Sequence, residues 1–411
     1  MDAMAATVLD HTPTGSIRRV APRSPRFARI VGLLAAGGLA NFAVVYFPQP
    51  ILPQIGESFR VDAGVTGLAL SVTTAAMLVG LLLAGPVSDR IGRVAAMSGS
   101  LVFAGILAVL CALAPTWEVF LALRAAAGLT LAVLPAVAIA YLRDVVREDA
   151  HSRANALYIS GTAMGGALGR LAPLPLAAIG GWQLVTVVLG ILSLIVGVLV
   201  WMTLPRDGAT HVPLRIGDLL GGSLASLRDP VILAICVIGG LNMVAFVGLY
   251  NAVPFRLNAP PFSLGSAEVL VYLAYPIGIA APGLFHRIST RWGRATASIV
   301  GVVALLAASA VLLAPSFIGV FVGLGLLAVA FLGTHSVLSG WVVTRAHAIG
   351  RSTSRASSAY LLSFYIASTL SGTASTHVWA SSGWGAVLAL AAVSLTASLV
   401  LCIVLRARRL R

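Results

Sequence analysis

The chain contains twelve apolar runs, separated by short polar or charged stretches. An apolar run of about 18 or more residues is long enough to cross a bilayer as a helix. Strands are excluded as the spanning elements because a barrel would show apolar and polar residues in alternation. The sequence therefore predicts an all-α membrane protein with twelve transmembrane helices, at residues 28–50, 65–86, 94–114, 117–141, 153–178, 182–204, 230–254, 265–286, 295–314, 316–343, 355–379 and 383–405.

The composition supports a lipid environment. Only 10% of the 411 residues are charged and 59% are hydrophobic, whereas soluble proteins carry about 25% charged residues. The three cysteines, Cys111, Cys236 and Cys402, lie inside apolar runs, so we expect neither a disulfide nor a metal site. No nucleophile–base set or phosphate loop stands out, which argues against an enzyme and against a cofactor. Residues 1–25 lack the apolar segment of a secretory signal peptide.

The distribution of arginine predicts the orientation. All 27 basic residues are arginine. If the N-terminus lies in the cytoplasm, only Arg60 and Arg256 fall on the outer side, and Arg124 and Arg170 fall within spans. This positive-inside bias predicts a multi-pass protein of the cell (inner) membrane with both termini in the cytoplasm. The same bias explains the net charge of +14, because the arginines set the orientation and contact anionic lipid headgroups. We therefore do not expect nucleic-acid binding.

The second half of the chain repeats the first. Arg153 and Tyr158 recur as Arg355 and Tyr360 at an offset of 202 residues. Two parallel six-helix halves are a transporter architecture with the substrate site between the halves, and we expect a monomer. The predicted segments are an N-terminal tail (1–27), a first half (28–204), a cytoplasmic linker (205–229), a second half (230–405) and a C-terminal tail (406–411).

A compact group of charges interrupts the apolar sequence in the turn between helices 2 and 3, in the stretch "GPVSDRIGRV". Its glycines allow a tight turn, and its acid can reach the N-terminus of a neighbouring helix or an arginine. One interpretation is a positive-inside anchor alone. The other is a gating latch, whose bonds form in one conformation and break in the other, built from Gly85, Asp89, Arg90, Gly92 and Arg93.

These five residues match the pattern G-x-x-x-D-R-x-G-R of the major facilitator superfamily, and the chain resembles that family over its whole length. The resemblance implies alternating access and a latch that stabilises the outward-facing state. The second copy, "TRWGR" at 290–294, has Thr290 in place of the acid. The latch is therefore expected mainly in the first half.

Two further stretches resemble an exporter branch of that family. "LALRAAAGLTLAV", with Arg124 and Gly128, resembles the helix 4 motif of drug–proton antiporters. "YISGTAMGGALGR" resembles helix 5 of drug-efflux or arabinose-efflux permeases, whose pattern is G-x-x-x-G-P-x-x-G-G, but it has Gly166 in place of proline and Arg170 in place of the last glycine. The resemblance implies proton-coupled efflux of small organic molecules, with drug-like compounds first and sugars second. Import of a small metabolite is the alternative.

Several polar residues fall within the apolar runs. Arg124 and Arg170 are placed in the outer half of the membrane, where each caps free backbone carbonyls or serves a substrate or proton path. The cavity wall is predicted to include Asn41, Tyr46, Gln49, Asn242 and Asn251, although interhelical hydrogen bonds explain them equally well.

Two other patterns complete the candidate set. His335, with His377 second, is the candidate for proton coupling within the spans, because histidine titrates near neutral pH. Gly161, Gly165 and Gly169 recur every fourth residue, which places them on one stripe of helix 5. That stripe permits close helix packing or acts as a hinge.

Overall fold

The computed structural model describes residues 20–21, 24–206 and 225–407. Apart from one isolated bridge between Val20 and Val146, these residues form helices and turns. Much of the predicted tails and linker lies outside the described ranges. Val20 belongs to the segment predicted as a tail, yet it is buried and its N–H donates to the carbonyl of Val145 at 2.8 Å.

Twelve transmembrane helices, numbered α1 to α12 in chain order, confirm the predicted fold class. In the first half they are α1 (Pro25–Tyr46), α2 (Ala63–Ile91), α3 (Arg93–Cys111), α4 (Trp117–Val145), α5 (151–179) and α6 (182–203). In the second half they are α7 (Pro230–Asn258), α8 (Val269–Trp292), α9 (Arg294–Val311), α10 (Phe317–Ala348), α11 (353–382) and α12 (384–407). Short helical turns flank them at Gln49–Ile51, Leu52–Phe59, Glu148–Ala150 and Gly265–Glu268.

Composition alone would count fewer spans. Within the described ranges, ten helices are long and apolar enough to cross a membrane. The count is two lower than twelve for two reasons. First, Thr353–Ala407 counts as one helix, although non-helical backbone at Gly383 divides it into α11 and α12. Second, His151–Leu171, the first part of α5, is not among the ten apolar helices. This helix contains Arg170 and several glycines and hydroxyls, and those residues form part of the candidate site.

Two helix ends differ from the sequence prediction. Helix α1 begins at Pro25, inside the predicted tail, because the Ser24 hydroxyl accepts the N–H of Phe27 and caps the helix. Helix α2 continues through Pro86 to Ile91 and ends at Gly92, whose φ of 87° favours glycine. The sequence predicts Asp89 in the turn after this helix, but the residue lies in the last turn of the helix.

The two halves pack internally in the same way. A Cβ at Gly161, Gly165 or Gly169 would overlap the α1 backbone at Ala35, Leu39 or Ala43, so this stripe lets α5 lie directly against α1. In the second half, Ser363 and Ser371 stand at the positions of Gly161 and Gly169, and their hydroxyls donate to the α7 carbonyls of Cys236 and Val244. The same pair of helices therefore packs together in each half, through glycines in the first half and through serine hydrogen bonds in the second.

Candidate functional site

The halves meet near one face of the membrane. We call the face where α1 begins and α12 ends the terminal face, and the opposite one the distal face. The Gln49 amide donates to the Asn251 carbonyl oxygen at 2.6 Å. These residues are 202 positions apart, so each is the repeat-mate of the other and the bond lies close to the axis that relates the halves. Asn251 also donates to the carbonyl of Gly372 at 3.2 Å.

A second set of bonds joins α2 to α11. The Ser71 hydroxyl donates to the carbonyl of Thr369 at 2.7 Å and accepts from Thr373 at 2.9 Å. Nearer the distal face, Thr376 donates to the carbonyl of Gly64 at 2.9 Å. We call these two sets of bonds the distal seam. Across the part of the chain that the structure describes, the hydrogen bonds between halves lie in this seam, which also includes a bond between the Thr74 and Thr369 hydroxyls at 3.0 Å, so the described state is closed toward the distal face.

Gly67 provides a test of this state. A Cβ at Gly67 would overlap the carbonyl of Gly372 across the distal seam. Gly67→Ala should therefore favour the distal-open state, and a cysteine introduced at Thr369 should react roughly 10-fold faster with a membrane-impermeant maleimide. Gly99→Ala is the matched control, because its Cβ meets no atom within 4 Å. Equal reaction rates in the Gly67→Ala variant and the control would contradict the assignment of the closed face.

Arg124 is held by backbone carbonyls. Its Nε donates to Ala69 at 3.1 Å, its Nη1 to Val44 at 2.8 Å and its Nη2 to Val45 at 2.9 Å. Pro48 has no N–H, so the helix cannot supply the usual donor to the Val44 carbonyl four residues earlier. The planar guanidinium therefore satisfies the backbone where α1 ends and also connects α4 to α1 and α2.

Arg170 has a different environment. It is fully buried, and its Nη1 donates to the carbonyl of Gly166 at 2.8 Å, but its Nε and Nη2 have no hydrogen-bond partner. Its guanidinium carbon lies 4.4–5.7 Å from the centres of four aromatic rings, two of them within 4.6 Å. We call this arrangement the Arg170 cage, and its rings belong to Tyr46, Phe246, Tyr250 and Tyr275.

The two departures from the exporter pattern in α5 lie together in the cage. A Cβ at Gly166 would approach the Tyr275 hydroxyl to 2.9 Å and the Arg170 Nη1 to 3.4 Å. A residue larger than glycine would thus displace the Tyr275 ring from the guanidinium. Gly166 and Arg170 are therefore neighbours in the structure, although in the sequence they are two separate departures from the exporter pattern.

The remaining predicted wall residues do not form one cluster. Asn41 is fully buried and neither side-chain polar atom has a partner. Asn242 accepts from Ser398 of α12 at 2.8 Å, within the second half. His335 is hydrogen-bonded through Nδ1 to the Tyr360 hydroxyl at 2.9 Å, also within the second half. The structure therefore places Gln49 and Asn251 in the distal seam and Tyr46 in the Arg170 cage. It leaves Asn242 and His335 apart from both.

The predicted latch lies at the terminal face. Arg93 pairs with Asp144 at the end of α4, which joins two helices of the same half. Arg90 is exposed and Asp89 is partly exposed. No hydrogen bond or ion pair of Asp89 occurs with another described residue, so its carboxylate is available to a partner in a different conformation.

The second half has its own link at the terminal face, which the sequence did not reveal. Asp229 accepts the N–H groups of Val231 and Ile232 at the start of α7 and pairs with Arg345 of α10 at 2.9 Å. Burial opposes the charged form of Asp229, but these bonds outweigh it and lower the pKa of its carboxyl below the ordinary value.

Sequence reasoning also missed Glu268. Its position in the first turn of a predicted span resembled an ordinary end of a helix, but its side chain is only 1% exposed. It accepts from Asn258 at 2.9 Å and from the Tyr272 hydroxyl at 3.3 Å. Glu268 precedes the span of α8, and burial raises its pKa to about 8 although both hydrogen bonds act to lower it.

The chain resembles known transporters. The family model of the Major Facilitator Superfamily matches residues 34–371. The chain is 32% identical to the inner membrane transport protein YnfM of Escherichia coli (92% of this chain and 90% of the other) and 30% identical to the uncharacterized MFS-type transporter YybF of Bacillus subtilis (88% and 89%).

A solved structure has the same fold. It is that of a bacterial homologue of the human lysosomal transporter Spinster, inward-facing and unoccupied. It matches with a TM-score of 0.67 at 16% identity, over 93% of this chain and 95% of that one. Because the family model covers most of the residues and the two bacterial relatives align over nearly their full lengths, the chain belongs to the major facilitator superfamily.

Proposed function

We propose that this protein is a proton-coupled secondary transporter that moves small organic molecules across the cell membrane by alternating access. The observation that carries the proposal is the buried carboxyl of Glu268, in a turn of the second half that packs against the first half. The turn Gly265–Glu268 contacts the segment Pro173–Thr203 of the first half. Closure of the distal face therefore removes this acid from water.

A buried carboxyl without a cation is stable only as the neutral acid. The described ion pairs do not include Glu268; its partners are an amide and a phenol. When the distal face opens, water reaches the group and its pKa falls toward the ordinary value of 4.5. Proton binding from the distal side thus favours closure, and this is the differential interaction that coupling requires.

The same step serves two directions of substrate movement. A proton that enters from the distal face and leaves at the terminal face drives export by exchange or import by symport. The helix 4 resemblance around Arg124 favours export of a drug-like compound or sugar, and import of a small metabolite is the alternative. The chain contains both halves that line the proposed path, and we propose that the transporting unit is a monomer.

Reconstitution tests the function. Purified protein in proteoliposomes with an acidic lumen and a luminal pH dye is given a panel of neutral and anionic aromatic compounds and sugars. In vesicles with the distal face inside, the pH gradient should dissipate faster when an exported substrate is added. If none of the compounds accelerates proton flux in either vesicle orientation, proton-coupled transport is refuted. Faster flux only when the substrate and the acid are on the same side identifies import.

The proposed orientation has a direct test. The arginine distribution assigns the terminal face to the cytoplasm. A reporter enzyme that is active only outside the cytoplasm should be silent when fused after Arg411 and active when inserted near Ser316, where α10 begins at the distal face. The reverse pattern would invert the orientation and the direction of the proton step.

The latch makes an asymmetric prediction. Asp89→Asn keeps the size of the side chain but removes the charge that would bond donors in the terminal-closed state. We expect normal membrane insertion and a loss of initial transport rate of about 10-fold or more. Thr290→Ala, at the repeat-mate, removes only a hydrogen bond to the carbonyl of Arg287 and should have little effect. Equal losses at both positions would contradict a latch confined to the first half.

A further inference from the structure

Arg170 is a buried cation without an anion. The described ion pairs join Arg93 to Asp144, Arg147 to Asp149 and Arg345 to Asp229, so Arg170 takes part in none of them. Glu268 is separated from it by Tyr272 and Tyr250, whose ring centres are 6.3 Å apart. A charge inside a membrane protein is by default the basis of a functional-site hypothesis, and here no charged protein partner accompanies it among the described residues.

The unused edge of the guanidinium has a defined chemistry. One nitrogen, Nη1, is occupied by the carbonyl of Gly166, and Nε and Nη2 are both unpartnered. These two nitrogens share one side of the planar group, with parallel N–H bonds. That geometry matches the two oxygens of a carboxylate, which forms short, charge-assisted bonds to such a fork.

The surroundings of that edge are aromatic. The ring of Tyr46 comes from the first half, whereas Phe246, Tyr250 and Tyr275 come from the second half. A planar apolar group can stack on these rings. A ligand that bonds Arg170 and stacks on α7 and α8 contacts both halves at once, so its binding changes the balance between open and closed states.

We propose that the substrate is a small aromatic carboxylate, bound through its carboxylate to the Nε–Nη2 edge of Arg170 with its ring among the aromatic side chains of the cage. This inference rests on the proposed transport function and names its substrate class. The rings of the second half cover the guanidinium in the described state, and the ligand reaches it when the distal seam opens. The position of Arg170, about 28 Å along α5 from His151 at the terminal face, places the site close to that seam.

Binding to the full-length protein tests the proposal. Radiolabelled benzoate is the probe, with benzamide as the neutral isostere and cyclohexanecarboxylate as the non-aromatic one. Benzoate should bind saturably, benzamide should fail to compete, and cyclohexanecarboxylate should compete more weakly than unlabelled benzoate. Arg170→Lys and Arg170→Gln should each weaken benzoate binding by about 10- to 100-fold, because both lose the planar fork. Gly166→Ala, which leaves Arg170 in place, should weaken it as well.

Arg256→Gln is the control, because this arginine is near the distal face but donates to the carbonyl of Pro260 and stacks on Phe262. It should leave benzoate binding unchanged. Equal competition by benzamide, or unchanged affinity in the Arg170 variants and in Gly166→Ala, overturns the inference. Proton flux driven by neutral compounds but not by carboxylates also overturns it and leaves the proposed transport intact. Benzoate binding without any proton flux supports the carboxylate site and contradicts the proposed coupling.

Discussion

Arg124→Lys should inactivate the transporter nearly as completely as Arg124→Ala. Three nitrogens of Arg124 each donate to a different carbonyl, those of Ala69, Val44 and Val45. Lysine keeps the charge but places all its donors on one atom, so it cannot span the same three acceptors. A buried acceptor that loses its donor costs about 1–3 kcal/mol. We therefore expect both variants to melt at a lower temperature in detergent and to transport at least ~10-fold more slowly.

The measurement is the initial transport rate at matched membrane expression, together with the melting temperature. Arg256→Lys is the control, because this residue makes one hydrogen bond to the Pro260 carbonyl and is partly exposed; it should behave as the wild type. A near wild-type rate in the Arg124→Lys variant, beside an inactive Arg124→Ala variant, would show that Arg124 supplies a positive field to a proton path rather than a geometric cap.

Glu268→Gln should uncouple transport from the proton gradient. Glutamine retains an oxygen that can accept from Asn258 or Tyr272 but cannot exchange a proton. The variant should still exchange labelled for unlabelled substrate, because it resembles the neutral acid of the closed state, but it should fail to accumulate substrate against a gradient. Glu57→Gln is the matched control, because Glu57 is an exposed acid on the distal side of α1. Accumulation by the Glu268→Gln variant at the wild-type level would refute the coupling role.

The same variant makes a pH prediction. The pKa of Glu268 is about 8 when it is buried, and its ordinary value is 4.5. Glu268 is protonated in both conformations below the lower pKa and ionised in both above the higher pKa. Closure should therefore weaken as pH rises between the two values. The charged or ionisable side chains around Glu268 are Tyr272, whose hydroxyl donates to it, and beyond that ring Tyr250 and the Arg170 guanidinium. The distal accessibility of a cysteine introduced at Thr369, taken as its maleimide rate relative to that of a freely exposed cysteine at each pH because the thiolate is the reacting form, should increase between about pH 5 and 8 in the wild-type background. It should stay constant in the Glu268→Gln background, and a parallel increase in both would assign the titration to another group.

The sequence by itself determined the fold. Long apolar runs must form helices in lipid because each backbone has to satisfy its own hydrogen bonds. The offset of 202 residues between Arg153 and Arg355 then reveals the two halves. The latch pattern around Asp89 identified the family that the comparisons support. These properties depend on local composition and spacing, which a single sequence displays completely.

The candidate site was only partly accessible in that way. The sequence identified Arg124 and Arg170 as unusual charges, and the helix 4 resemblance favoured Arg124 as the one on a substrate or proton path. Only the structure shows that the first is saturated by carbonyls and the second has an unused edge. For Asn242 the sequence left a cavity wall and an interhelical hydrogen bond as equal alternatives, and the structure shows a hydrogen bond to Ser398 of α12.

Only the tertiary structure decided which residues meet across the two halves. The bond between Gln49 and Asn251, the cage around Arg170 and the burial of Glu268 all depend on how each helix is rotated and on which face of the bundle is closed. Apolar runs do not encode that rotation, because residues on every side of a membrane helix are hydrophobic. Glu268 was missed for this reason: an acid in the first turn of a span is ordinary in a sequence, and only the packing of its turn in the tertiary structure shows that it is removed from water.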